Sequence, residues 1–310
     1  MDKQRVVIAG AGVMGASIAQ VYAGCGWKVV LYDIAPAFLE KGRELLTLNQ
    51  QNLVKEEMIS QSASDALRES ISYSCGKESF RDAGLVVESI VEKLEVKHSF
   101  WEEVSRLAPE QALLVTNTSG LRISEIASAV HRPERFAGQH WLNPPHLIPL
   151  CEIVRGEATS RETVDALVRL AKELGKKPVV VEDINGFIIN RLQFSILREA
   201  LHIVESGAAT FEDVDNVMKY GLGMRYACLG PFDTADIGGL DTFDNISSYL
   251  FADLSDAKER SGTLRELVEA GRLGVKSGRG FYDYADGKDK ETIRRRDEMF
   301  IKLAKCLYGE

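Results

Sequence analysis

Cysteine is sparse in this 310-residue chain. Its five cysteines, Cys25, Cys75, Cys151, Cys228 and Cys306, stand far apart, are odd in number and contain no CxxC pair. That spacing argues against a disulfide framework and against a zinc or other metal site, and it fits a reducing cytosol. Basic residues are also in short supply: 38 Lys and Arg face 46 Asp and Glu, for a formal net charge of -8. They are dispersed rather than gathered in a stripe, which argues against a nucleic-acid partner. The triplet Arg294-Arg295-Arg296 lies in a charged C-terminal helical pattern and reads as a solvated face. No apolar run approaches the ~20 residues of a membrane span. Met1-Asp2-Lys3 leads directly into an apolar strand with no leader pattern, so a cytoplasmic location is expected.

What is present begins at residue 6. Residues 6 to 33 read VVIAGAGVMGASIAQVYAGCGWKVVLYD. An apolar strand, Val6–Ala9, runs into Gly10-Ala11-Gly12-Val13-Met14-Gly15. A helix-like segment follows, and a second strand, Lys28–Tyr32, ends at Asp33. This is the dinucleotide-binding fingerprint in its required context. Gly10 permits the tight turn, Gly12 lets the backbone approach a pyrophosphate, and Gly15 lets the helix pack against the strand. The helix start, with Gly12, Val13 and Met14, turns N–H groups and a positive dipole end toward the phosphates. Asp33 sits where a carboxylate accepts both ribose hydroxyls of NAD and repels the 2′-phosphate of NADP, so NAD is the expected cofactor. The alternatives are a glycine-rich turn that binds nothing, and an NADP site served by Arg or Lys from elsewhere.

The length predicts two domains, and 45% hydrophobic with 27% charged residues is ordinary for a globular chain. Ala37–Lys55 reads as a long amphipathic helix, followed by a polar stretch, Glu56–Ser64. Further strand candidates are Ser70–Tyr73, Leu85–Ser89, Leu113–Thr116, Phe136–His140, Leu150–Ile153 and Val179–Glu182. Continuous apolar runs such as Leu113-Leu114-Val115 suit strands covered on both faces. The expected fold is α/β, a Rossmann-type doubly wound, mainly parallel sheet over residues 1–183, followed by an all-helical dimerisation domain over 184–310. The apolar run from Phe187 to Val204 predicts a helix buried at a subunit interface and ended by Gly207. Thr210-Phe211-Glu212-Asp213 resembles a capping box opening a helix that Gly221 closes, and Thr263–Ala270 is a further short helix.

Nicotinamide chemistry on an alcohol needs a base for the hydroxyl proton, and histidine has the suitable pKa. Of five histidines, His98 and His202 lie in helical patterns, and His131 and His146 lie beside prolines. His140 ends an apolar strand, at the sheet edge where such folds bind ligands, and the rigid Asn143-Pro144-Pro145 follows. Glu152, within Leu150–Val154, is the candidate carboxylate to orient it; alternatively it faces solvent on an edge strand. Cys151 beside it reads as a small strand residue rather than a nucleophile.

Several ordered motifs now coincide: His140-Trp141-Leu142-Asn143-Pro144 (HxxNP), Asn117-Thr118-Ser119 (NTS), Gly186–Arg191 (GFxxNR) and Lys276–Tyr282 (KSGxGFY). With the glycine turn they resemble the L-3-hydroxyacyl-CoA dehydrogenase family, and the resemblance runs from Gly10 to Tyr284. It implies an NAD-dependent oxidoreductase interconverting 3-hydroxyacyl and 3-oxoacyl groups. His140 would be the general base in the oxidative direction, oriented by Glu152. Ser119 and Asn190 would hydrogen-bond the substrate oxygen, and Glu92, Lys97, Asn143 and Lys276 would line the cofactor site. Each has a plainer alternative: Ser119 as an N-cap, Asn143 as a turn residue, and Lys97 as a solvated helix residue.

Two departures concern the substrate. Members acting on CoA thioesters usually carry a KLVKKGK-like run, whereas this chain reads Asn52-Leu53-Val54-Lys55-Glu56-Glu57-Met58. Carboxylates there would repel the phosphates of CoA. Asn143–Leu150 and Tyr220–Tyr226 resemble the lambda-crystallin (L-gulonate 3-dehydrogenase) and carnitine dehydrogenase branch, whose substrates are free 3-hydroxy acids. Arg225 would then pair with a substrate carboxylate, or else serve an inter-subunit salt bridge. Gly238–Thr242 and the GVKSGRGFYDY tail look like the acyl-CoA enzymes. The expectation is a CoA thioester, with a free 3-hydroxy acid as the alternative and a non-catalytic nucleotide-binding or structural protein as a lesser one.

Overall fold

Eight apolar runs become the eight strands of one sheet: β1 (Arg5–Ala9), β2 (Lys28–Tyr32), β3 (Ile71–Ser74), β4 (Leu85–Glu88), β5 (Leu113–Thr116), β6 (Phe136–Trp141), β7 (Leu150–Arg155) and β8 (Lys177–Glu182). This computed structural model describes residues 5–308. The strand order is β3-β2-β1-β4-β5-β6-β7-β8. All neighbours pair in parallel except β6 and β7, so the last two strands run against the other six.

The period of two along each strand sorts side chains onto two cores. Val6 and Ile8 join Ala16, Ile18 and Leu167 on one face, while Val7 and Ala9 join Trp101, Ile123 and Ile126 on the other. Both faces are covered by helices: α1 (Val13–Gly24), α2 (Pro36–Lys55), α3 (Gln61–Glu69), α4 (Leu94–Leu107), α5 (Ile123–Ala127) and α6 (Arg161–Glu173). Helix α3 falls partly in the stretch read as merely polar. It starts because the Ser60 hydroxyl accepts from the Ala63 N–H at 3.1 Å.

The chain divides into two compact units. One runs to Asn190 and takes the chain back from Arg296 onward; the other is Arg191–Arg295. The division expected at 183 and 184 therefore lies before the one in the structure. Phe187 explains the difference, because its ring is fully buried in the sheet core while helix α7 (Ile189–Glu205) begins just after it. Of α7 itself only Leu201 is buried within the chain.

The second unit is built from α7 and the helices Phe211–Val217, Gly223–Tyr226, Pro231–Gly238, Leu240–Leu250 and Gly262–Glu269. The Thr210 hydroxyl accepts from the Asp213 N–H at 3.1 Å and the Asp213 carboxylate accepts from the Thr210 N–H at 3.2 Å, completing the capping box. Gly221 does not end that helix. The backbone widens into a π-type turn over Met218–Leu222 and continues helically to Tyr226. Among the described residues no helix is long and apolar enough to cross a membrane, and no cluster of three metal-ligating side chains occurs.

Candidate active site

The turn from β1 into α1 is held by backbone proximity. Gly10 has φ 102, and a Cβ there would lie 2.4 Å from the Ser89 carbonyl oxygen. A Cβ on Gly15 would lie 1.8 Å from the Gly10 carbonyl oxygen, so Gly15 packs chiefly on the turn rather than on the strand. Gly12 differs from both, since a Cβ there would meet nothing within 4 Å. No side chain caps α1 and no acidic residue occupies its first turn, where Val13 is exposed. Asp33 is pinned beside this opening: Oδ2 accepts from the Ala11 N–H and Oδ1 from the Ile34 N–H, each at 2.7 Å. An open helix N-terminus flanked by a fixed carboxylate fits the pyrophosphate and ribose of a dinucleotide.

At the ends of β4 and β5 a buried ion network ties the next segments together. Glu88, fully buried, accepts from Lys97 Nζ at 2.5 Å, from Thr116 Oγ1 at 2.7 Å and from Trp101 Nε1 at 3.3 Å. Lys97 is 1% exposed and also pairs with Glu92 at 3.2 Å. Glu92 in turn accepts from the Thr118 hydroxyl, from the Ser119 N–H at 2.9 Å and from the Gly120 N–H at 3.3 Å. Burial alone would raise the Glu92 carboxyl. The bonds from Thr118 and Ser119 and the charge of Lys97 outweigh it and hold the group below the usual carboxylate range. Lys97 is therefore no solvated helix residue; it acts on the NTS segment through Glu92. Glu88 escaped the sequence reading because it ends an apolar strand and matches no motif.

His140 and Glu152 are directly opposite each other in the antiparallel pairing of β6 with β7. Their side chains meet: His140 Nδ1 lies 2.8 Å from Glu152 Oε2, and both residues are buried. The other carboxylate oxygen accepts from the Ile188 and Ile189 N–H groups at 3.0 and 2.9 Å. Glu152 thus holds the histidine and also caps the start of α7. Burial would raise its carboxyl, but the bonds from His140, Ile189 and Ile188 overcome it and keep the group below the ordinary range. The His140 ring packs on Phe187 with centroids 5.5 Å apart. Among the described residues nothing hydrogen-bonds Nε2. An imidazole held by a carboxylate at Nδ1, with Nε2 available, is equipped to take a proton and to have the resulting charge stabilised.

Of the remaining expected residues, Ser119 and Asn190 connect to this core. Asn190 Nδ2 donates to the Ser119 carbonyl at 2.6 Å, and the Trp141 N–H donates to Asn117 Oδ1 at 2.9 Å. Hydrogen bonds thus link the NTS, HxxNP and GFxxNR segments, with Glu152 and Glu92 at the joints. Asn143 is exposed, three residues after His140, and its peptide to Pro144 is cis. Lys276 and Arg225 belong to the second unit, exposed on Val275–Ser277 and Gly223–Tyr226 respectively. Cys151 is buried and its thiol is pushed up to about 12 by that burial, the opposite of an activated nucleophile.

Residues 5–184 match the NAD binding domain of 3-hydroxyacyl-CoA dehydrogenase, and residues 186–284 match its C-terminal domain. The chain belongs to the 3-hydroxyacyl-CoA dehydrogenase family. It is an NAD-dependent oxidoreductase. It is 38% identical over 287 residues to a probable 3-hydroxybutyryl-CoA dehydrogenase of Bacillus subtilis, covering 92% of this chain and 99% of that one. It is 33% identical over 316 residues to the 5-formyl-3-hydroxy-2-methylpyridine 4-carboxylate 5-dehydrogenase of Mesorhizobium japonicum, covering 99% of both. The crystal structure of a dehydrogenase of that formyl pyridine carboxylic acid, described as an NAD+-dependent dismutase, aligns with TM-score 0.92 at 32% identity over 99% of both chains. Helix Lys288–Tyr308 lies beyond the two family domains.

Proposed function

We propose that this chain interconverts the 3-hydroxy and 3-oxo forms of an acyl substrate, with His140 as the general base of the oxidative direction. The observation that carries this reading is the 2.8 Å contact between His140 Nδ1 and a Glu152 carboxylate that is itself held by the start of α7. Bound NAD supplies the hydride acceptor. His140 Nε2 takes the hydroxyl proton, and Glu152 fixes the ring and stabilises the imidazolium. The Ser119 hydroxyl and the Asn190 amide, the latter anchored on the Ser119 carbonyl, hydrogen-bond the reacting oxygen or the neighbouring carbonyl. Gly10, Gly12, Val13, Met14, Gly15 and Asp33 receive the dinucleotide, with Glu92, Asn143 and, through Glu92, Lys97 on the nicotinamide side. On the family resemblance Lys276 is a further cofactor residue and Arg225 a partner for a substrate carboxylate.

A CoA thioester is supported by the Bacillus relative's name. A CoA-free carboxylate is the second reading, and one observation favours it. Lys55, the one basic residue of Asn52–Met58, is already paired with Glu298 at 3.3 Å, and Lys305 Nζ donates to the Glu56 carbonyl at 2.7 Å. Helix Lys288–Tyr308 thus sits on the run that would greet the CoA phosphates. NADH formation from 3-hydroxybutyryl-CoA and from a panel of free hydroxy acids, including L-gulonate and carnitine, separates the two. Turnover of the thioester alone supports the first reading and turnover of a free acid alone the second; turnover of neither with NAD bound overturns the reaction itself.

A further inference from the structure

A cavity of about 410 Å³, lined by none of the residues assigned to the reaction, lies between α1, α2, α3 and the last turns of helix Lys288–Tyr308. Its size falls in the ~300–1,000 Å³ range of small-molecule sites. Val21, Leu53, Ile59, Leu67 and Leu174 give it apolar walls. Three of the polar atoms on its lining residues have no partner within the protein: Gln20 Nε2, Gln50 Oε1 and His146 Nδ1.

Gln50 Nε2 donates to Gln20 Oε1 at 3.1 Å, and this single bond leaves Gln20 Nε2 and Gln50 Oε1 without partners. Both residues line the cavity and are only 3% and 1% exposed. Exchanging nitrogen and oxygen in both amides leaves the same inventory, one donor and one acceptor. His146 Nδ1 is likewise unpartnered. Lys176 completes the set. It is buried, with Nζ donating to the Pro145 and Ile148 carbonyls at 2.6 and 2.9 Å and lying 5.4 Å from the Trp141 ring centroid. Among the described residues no carboxylate pairs with it. Burial pulls its ammonium down to about 8, so it is still largely charged at neutral pH.

A buried cation without a carboxylate partner and an unpaired amide donor and acceptor thus line one cavity, and such groups are costly unless a ligand answers them. We propose that this cavity is a second ligand site, for a small hydroxy acid with an apolar tail. The carboxylate supplies the counter-charge to Lys176 and accepts from the Gln amide. The hydroxyl donates to the remaining amide oxygen, and the tail lies against Leu53 and Leu67. Because Lys176 grips the carbonyls of Pro145 and Ile148, the occupant would touch the loop that follows Asn143.

Calorimetric titration of the NAD-loaded protein with 2-hydroxyoctanoate tests this. That probe lacks the 3-hydroxyl the proposed reaction uses; octan-2-ol is the control without a carboxylate. Saturable binding is expected, at least tenfold weaker for octan-2-ol. It should also be at least tenfold weaker in Lys176→Met, which keeps the stem and removes the charge, and in Leu53→Trp, which fills the cavity and leaves Lys176 in place. Absence of binding to the unmodified protein overturns the proposal. So does binding that survives either substitution in a folded variant, or octan-2-ol binding as well as the acid. If Lys176→Met does not fold, Leu53→Trp alone decides.

Discussion

Glu152 serves two structures with its two oxygens, the imidazole of His140 on one side and the first N–H groups of α7 on the other. Its carboxyl lies below the ordinary range because those hydrogen bonds outweigh the burial that alone would raise it. A depressed folded value stabilises the fold above the unfolded carboxylate value, about 4.3, and that contribution disappears as pH falls through the folded value. Glu152→Gln should therefore cost about 2 kcal/mol at pH 7, from charge-assisted hydrogen bonds lost. Thermal melts should show the gap to the unmodified protein closing below about pH 4. A gap that does not change with pH would contradict the ionic role. At this scale His140 was legible from its place at a strand end, but the orientation of Glu152 was not. Facing solvent and facing His140 differ only by the register and direction of β7, which the apolar pattern does not encode.

At the scale of elements, the glycine turn makes two substitutions differ in kind. Gly15→Ala forces a methyl against the Gly10 carbonyl and should destabilise the fold as well as abolish NAD binding. Gly12→Ala meets open space and has an ordinary φ of -73. Its melting temperature should stay near that of the unmodified protein while NAD affinity drops about tenfold or more, read by titration of the two variants side by side. Equal loss of stability in both would contradict the cradle at Gly12. The eight strands could be read from the sequence because apolar runs between turn residues are long enough to mark them. Helix α3 was not, because Gln61–Glu69 is polar and its start depends on a single serine cap. The reversal of β7 was also hidden, since strand patterning carries no direction.

On the scale of the whole molecule, the second unit carries many large apolar side chains that the chain itself leaves exposed. Phe232 is 86% exposed and Tyr220 78%, and α7 shows Leu192 and Phe194 to solvent. Burying such surface at roughly 25 cal/mol per Å² favours self-association. We propose a homodimer. Light scattering should give twice the chain mass, and paired Leu192→Glu and Phe194→Glu should give a monomer; a monomeric unmodified protein would refute it. In the proposed reaction a single histidine, His140, carries the proton transfer that lets the NAD-binding fold move a hydride. The most direct measurement is turnover and NAD affinity of His140→Gln, on whichever substrate of the panel is used. NAD binding should stay within about twofold of the unmodified protein while turnover falls by about 10²- to 10⁴-fold. Turnover within a few-fold of the unmodified protein, with NAD bound, would contradict that role of His140.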